Sequence, residues 1–163
     1  MVVDLPSESK EFLGFWRITK ITDEDSSPEE SDAISNGEKY LRENYRIYAS
    51  KNKIYFGERN DPNSTRKGEF SKNGWNYETE CSIDKIVNRG EGFFRFDTSS
   101  LREHNFLEGK NSLFLKLINS NKILFLLPYS PSPEYEGIEA KDAPIDLLKE
   151  VSSKYYITLE KDK

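Results

Sequence analysis

The chain holds one cysteine, one histidine and one methionine in 163 residues. A lone Cys81 excludes an intramolecular disulfide, a Cys-x-x-Cys redox pair and any zinc site built from several thiolates. It reads instead as a small buried residue at the end of a strand, with no basic neighbour to activate its thiol. The single His104, in Leu101-Arg102-Glu103-His104-Asn105, lies in a polar stretch and reads as a surface residue. No Gly-x-Ser-x-Gly elbow accompanies it, so a histidine-based nucleophile triad is not expected. A glycine-rich phosphate loop is missing too. Asn60-Asp61-Pro62-Asn63 is only faintly like a calcium loop, and Pro62 spoils it. No metal, no cofactor and no catalytic residue is therefore expected, and the chain reads as a non-enzyme. Twenty-nine acids offer carboxylate pairs, but nothing in the sequence singles one out.

Long apolar runs are also scarce. The longest, Ile123 to Leu127, is far shorter than a membrane-spanning helix requires. Met1-Val2-Val3-Asp4-Leu5-Pro6 has no basic region followed by a long apolar run, so it does not read as a signal peptide. The expectation is a cytoplasmic protein, or an exported one if a leader has been trimmed. Positive charge is in deficit, with a formal net charge of −5. That argues against nucleic-acid binding, which needs a positive field to displace condensed counterions. It argues equally against docking on anionic lipid.

What the chain does have is aromatic: ten Phe, nine Tyr and two Trp, against 35% hydrophobic residues in all. Such a core leans toward pleated, half-buried strands. Phe12, Trp16 and Ile18 share one parity while Arg17 and Thr19 take the other, which predicts a strand. Asn44–Ser50 and Lys53–Arg59 form a predicted hairpin about Lys51-Asn52. Asn73-Gly74 joins Arg66–Lys72 to Trp75–Cys81 through a two-residue turn. Phe93–Thr98 follows the turn Asn88–Gly92. Ser112–Asn119 and Lys122–Pro128 form a further hairpin, and Lys154–Glu160 is the last strand. Asp23–Asp32 is acidic and rich in Ser and Pro, and reads as a mobile surface loop, with a short helix near Glu38–Arg42. Tyr129–Lys141, with Pro128, Pro131 and Pro133, reads as a rigid connector. Leu113–Ile118 and Ile123–Leu127 are apolar on both faces, so their outer face needs cover. A helix near residues 143–151, capped by Asp142 with Pro144 in its first turn, is expected to pack there.

The expectation is an all-β, mainly antiparallel up-and-down meander of about eight or nine strands, spanning residues 1–163 as a single domain and closing into a barrel. Glu11-Phe12-Leu13-Gly14-Phe15-Trp16-Arg17-Ile18 resembles the Gly-x-Trp opening strand of lipocalins and fatty-acid-binding proteins, the calycin superfamily. The resemblance implies a lipocalin-like barrel whose closed end is plugged by Trp16. It also implies an Arg late in the last strand, stacked over that Trp, yet Lys154–Lys163 has none.

Tyr45, Phe56, Trp75, Tyr77, Phe94 and Phe96 are the candidate interior set. Inward side chains of a small barrel either fill it or leave room for one ligand. The expected function is binding of a small apolar or aromatic molecule in the barrel mouth. The alternative is an acidic protein-interaction module, an immunity or inhibitor protein, that neutralises a basic partner protein.

Overall fold

Tight turns fix the meander. Asn73 and Gly74 have φ of 52° and 85°, the pair of positive angles that a type I′ turn demands. Glu91 and Gly92 repeat the arrangement at 56° and 86°. The structure is a computed structural model, and it describes residues 7–24, 28–59, 68–100, 110–127 and 143–162. Nine strands alternate in direction: β1 (Gly14–Asp23), β2 (Tyr45–Ala49), β3 (Lys53–Arg59), β4 (Phe70–Lys72), β5 (Trp75–Gly90), β6 (Phe93–Ser100), β7 (Lys110–Asn119), β8 (Lys122–Leu126) and β9 (Tyr155–Lys161). Two α-helices interrupt them, α1 (Pro28–Asn44) and α2 (Ile145–Lys154). The order β3-β2-β1-β9-β8-β7-β6-β5-β4, with β3 also pairing β5, closes eight strands into an antiparallel barrel and leaves β4 as an extra strand on β5.

One pleat of each barrel strand faces a common interior. Trp16, Ile18, Ile83, Ile86, Phe94, Phe96, Leu115, Ile123 and Leu159 pack there. The other pleat of β6–β9 carries Phe93, Phe114, Leu124 and Leu126, which α2 covers with Leu147, Leu148 and Val151. The helix thus packs where strands apolar on both faces require it. Each fully buried aliphatic side chain there contributes roughly 1.5–3 kcal/mol. Its N-cap is Pro144, which makes no side-chain cap bond, and Asp142 lies outside the described residues.

The acidic stretch departs from its expected loop. Pro28 opens a helix of 17 residues. Proline costs nothing at a first helical position, and Glu30 and Asp32 lie at the end where the helix dipole favours anions. Ile34, Glu38 and Leu41 form its half-buried stripe, and Leu41 packs on the interior cluster. The backbone N–H of Ile21 donates to Glu38 Oε2 at 3.1 Å. Burial of one stripe overrides a polar composition that would not hold a helix alone. β5 also exceeds its expected span. It runs past Cys81 to Gly90 by absorbing irregularities in its ladders, where β3 and β6 change register. Extra residues of this kind bend a strand around a barrel.

Candidate functional site

The two ends of the barrel differ. At one end the strands are joined by the short turns 50–52, 91–92 and 120–121. Here the 3₁₀ turn Ser7–Phe12 crosses beneath β1. Phe12 therefore belongs to a plug rather than to the first strand, which begins at Gly14. The Phe12 ring meets Phe94 and Phe96 edge-on, with centroids 4.9 and 5.2 Å apart, and its carbonyl accepts the Trp16 indole N–H at 2.9 Å. Lys161 of β9 places Nζ 4.4 Å from the centroid of the Trp16 ring and donates to the carbonyl of Leu13. A cation from the last strand thus lies over Trp16, and it is a lysine where the sequence resemblance implied an arginine. Burial lowers the Lys161 pKa from its ordinary 10.5.

At the other end α1 links β1 to β2, and β3, β6 and β8 end there at Arg59, Ser100 and Leu126. Toward this end the inner faces of four strands change character. In β9 Leu159 is buried and Ile157 half-buried; in β8 Ile123 is buried and Phe125 half-buried. In β7 Leu115 gives way to Leu113, and in β1 Trp16 and Ile18 give way to Ile21. In β1, β8 and β9 the deep inward side chains are buried and those toward α1 half-buried, while on β2 and β3 the inward Ile47 and Ile54 are half-buried at the Trp16 end as well. Leu117, half-buried at the other end, sits at the rim beside the β7–β8 turn.

The six candidate aromatics divide between the two faces of the sheet. Directly paired residues of an antiparallel ladder share a face. Phe56 pairs with Ile47 and with Glu78, so it lies on the inner pleat, and Tyr45 lies two residues from Ile47 on the same pleat. Phe94 and Phe96 lie in the sealed interior layer. Trp75 and Tyr77 do not join them. Tyr77 pairs with Gly57 and Trp75 with Arg59, one residue out of phase with Phe56. The parity of β5 alone could not reveal this, because the irregularity between Ile54 and Tyr55, with Glu80 the extra residue of β5, reverses which residues face inward on either side of it.

Trp75 and Tyr77 enter a second aromatic group on the outer face. Tyr77 stacks on Phe70 at 5.0 Å and meets Phe15 and Tyr48 edge-on. Tyr48 stacks on Phe15 at 4.4 Å. Arg46 lies 4.2 Å over the Trp75 ring and 3.4 Å from the Asp162 carboxylate. The sequence reading missed Phe15, Tyr48, Tyr55 and Phe70; the outward parity of Tyr48 and Tyr55 was the one available signal. Burial, with Asp162 adding to it, pushes the Tyr77 phenol up to about 12. Cys81 is fully buried inside β5, and burial likewise pushes its thiol up to about 12.

Polar groups on the inner pleat are few. Thr98 is buried opposite Ile83. Glu78 lies opposite Phe56, and Glu58 opposite Tyr45. Among the described residues no group of three or more His, Cys, Asp or Glu could hold a metal ion. No described helix is long and apolar enough to cross a membrane. His104, Asn60–Ser64 and Tyr129–Lys141 lie outside the described residues. No family model, curated protein or solved structure matches the chain.

Proposed function

We propose that the barrel holds one small apolar or aromatic molecule in the half of its interior beneath α1, as a non-enzymatic, lipocalin-like binding domain. One observation carries the reading: in β1, β8 and β9 the inward apolar side chains are buried toward Trp16 and half-buried toward α1. Ligand sites are concave, mostly apolar and placed in the mouths of barrels. Ile21, Leu113, Phe125 and Ile157 supply its aliphatic and aromatic floor, whereas Phe56 stands in the row of Ile47 and Trp16 and the Tyr45 ring meets Tyr40 of α1. Phe96 lies beneath them as part of the sealed layer. Trp75 and Tyr77, on the opposite pleat, have no part in this site. The cation over Trp16 supports the calycin-like reading. α1 is the natural cover, because a helix held by one stripe opens at little cost.

Titration with the neutral dye N-phenyl-1-naphthylamine tests this. The expected result is a saturable fluorescence rise with one dye per chain, lost when Leu113→Trp fills the upper interior. A folded protein that leaves the dye dark removes the reading.

A second reading, an acidic module that binds a basic partner protein, draws on the outward face of α1. Glu30, Asp32 and Glu43 are exposed there, beside Tyr40 at 57% exposure. Association would then be salt-sensitive. Reversing those three charges should abolish capture of a partner at low salt; unchanged capture removes this reading.

A further inference from the structure

The outer pleat of β1–β5 forms a trough, not the convex wall usual for a barrel. Phe15 on β1 and Tyr77 on β5 are three strand spacings apart in the order β1-β2-β3-β5, roughly 14 Å along a flat sheet. Their ring centroids nevertheless lie 5.4 Å apart. Tyr48 on β2 and Phe70 on β4 are separated by as many strands, with rings 5.6 Å apart. Lys72 of β4 even sets Nζ 3.7 Å from the centroid of the Phe15 ring. The sheet therefore folds toward this pleat. Gly57 permits the bend, because the Tyr77 ring fills the space a Cβ would need. Trp75 and Tyr77 are buried at the bottom of the trough, and Phe15, Tyr48, Tyr55 and Phe70 are half-buried along its sides.

Cations stand around it. Arg59 and Lys72 are exposed on either side of Trp75, and each extends over a ring, that of Trp75 and that of Phe15. Neither enters an ion pair with a described residue. Arg17 is exposed two residues beyond Phe15, and Lys53 is half-buried two residues before Tyr55. The described carboxylates of this face are engaged: Glu69 accepts the Thr79 hydroxyl at 2.6 Å, Asp162 faces Arg46, and Glu160 stands opposite Arg17. Arg42 and Glu43, where α1 adjoins Arg46, offset one another.

From this we infer that the trough docks an acidic segment of a partner protein, one that sets apolar side chains between its carboxylates. The inference is separate from the ligand reading, which uses the other pleat. Charge complementarity carries it. The net charge of −5 repels an acidic chain at long range, but exposed cations act within about one Debye length, 8–10 Å. Only a segment seated in the trough gains from them. Tyr, Trp and Arg are also the residues that carry most of the binding energy at protein interfaces. A nucleobase would need a bare aromatic face on which to stack. Here Phe15 stacks on Tyr48 and carries Lys72, Tyr77 stacks on Phe70, and Trp75 carries Arg46. Ring edges and the Tyr48 and Tyr55 hydroxyls suit peptide side chains and carbonyls better.

Selection from a random dodecapeptide phage library against the protein, followed by fluorescence anisotropy of the selected peptides at low salt, tests this. The expected consensus alternates Asp or Glu with Phe, Tyr, Trp or Leu and binds once per chain. Arg59→Glu and Lys72→Glu should each weaken that binding at least about tenfold. Circular dichroism checks that both variants fold, as substitution of exposed side chains should allow. Lys149→Glu, the same reversal on α2, should leave the affinity unchanged and so separates the trough from overall charge. N-phenyl-1-naphthylamine should bind equally well with and without the peptide, so the pocket and the trough stand or fall apart. A library that yields no enrichment overturns the inference. So does a basic or uncharged consensus, or a selected peptide that both variants bind as well as the parent protein does. Two other occupants would also overturn it: an oligothymidylate, or a second copy in a concentration-dependent dimer, whose binding Arg59→Glu and Lys72→Glu abolish.

Discussion

Two side chains on opposite faces of the sheet show how single positions set the properties of this protein. Lys161 satisfies the Leu13 carbonyl and covers Trp16. Lys161→Ala leaves a buried acceptor and an uncovered ring, and should lower the stability to urea by about 1–2 kcal/mol. Lys161→Arg keeps both contacts and should recover most of that loss. Tyr77 is 1% exposed and stays protonated until about pH 12, against 10.0 for a free phenol. The unfolded chain therefore releases this proton first. Stability from Tyr77 is fully present below pH 10.0, falls as the pH climbs toward 12, and then levels. Urea midpoints measured across that range should fall less steeply in Tyr77→Phe than in the parent protein.

Among the elements, β3 and β5 depend on a position that cannot carry a side chain. A Cβ on Gly57 would lie 2.6 Å from Tyr77 Cε1. Gly57→Ala must displace the ring that Phe15, Tyr48 and Phe70 surround, and should cost about 1–3 kcal/mol by overpacking. The loss should shrink markedly in a Tyr77→Leu background, as a double-mutant cycle would reveal. The same pair shows where the sequence could be read and where it could not. Most strands, the Asn73-Gly74 turn and the outer position of α2 follow from local parity, turn chemistry and double-sided apolar runs. The assignment of Trp75 and Tyr77 to the interior failed because parity counts faces only within one unbroken ladder. The register shift beside Cys81 arises in the ladder with β3, an element remote in the chain. Of α1 only the part near Glu38–Arg42 was expected; its extension back to Pro28 escaped notice for a related reason, because the stripe of Ile34 and Leu41 matters only once β1 offers a surface to cover. Lys161 lay in plain view in the last strand, but a search for an arginine passed over it.

At the scale of the whole molecule, the two ends of the barrel are built differently. The closed end joins Phe12, Trp16, Phe94 and Lys161 into a single plug. At the other end α1 lays one half-buried stripe against the barrel and Glu38 accepts the Ile21 N–H. A ligand that binds only the folded barrel must stabilise it by mass action, about 2.7 kcal/mol at a hundredfold excess over its Kd. The melting temperature should therefore rise with N-phenyl-1-naphthylamine concentration, and this rise should disappear in Leu113→Trp while the unliganded variant still melts cooperatively.

The seam between β1 and β9 couples Trp16 to Lys161 and Asp23 to Tyr155, nearly the full length of the chain apart. A growing polypeptide emerging from the ribosome cannot complete its hoop until that final segment is free. Until then β1 and β8 expose bare edges of the kind that recruit neighbouring chains. Such long-range closure also makes the search slow, on the order of milliseconds to seconds. Translation speed and chaperone supply, rather than equilibrium stability, would then decide how much of the product reaches the finished ring.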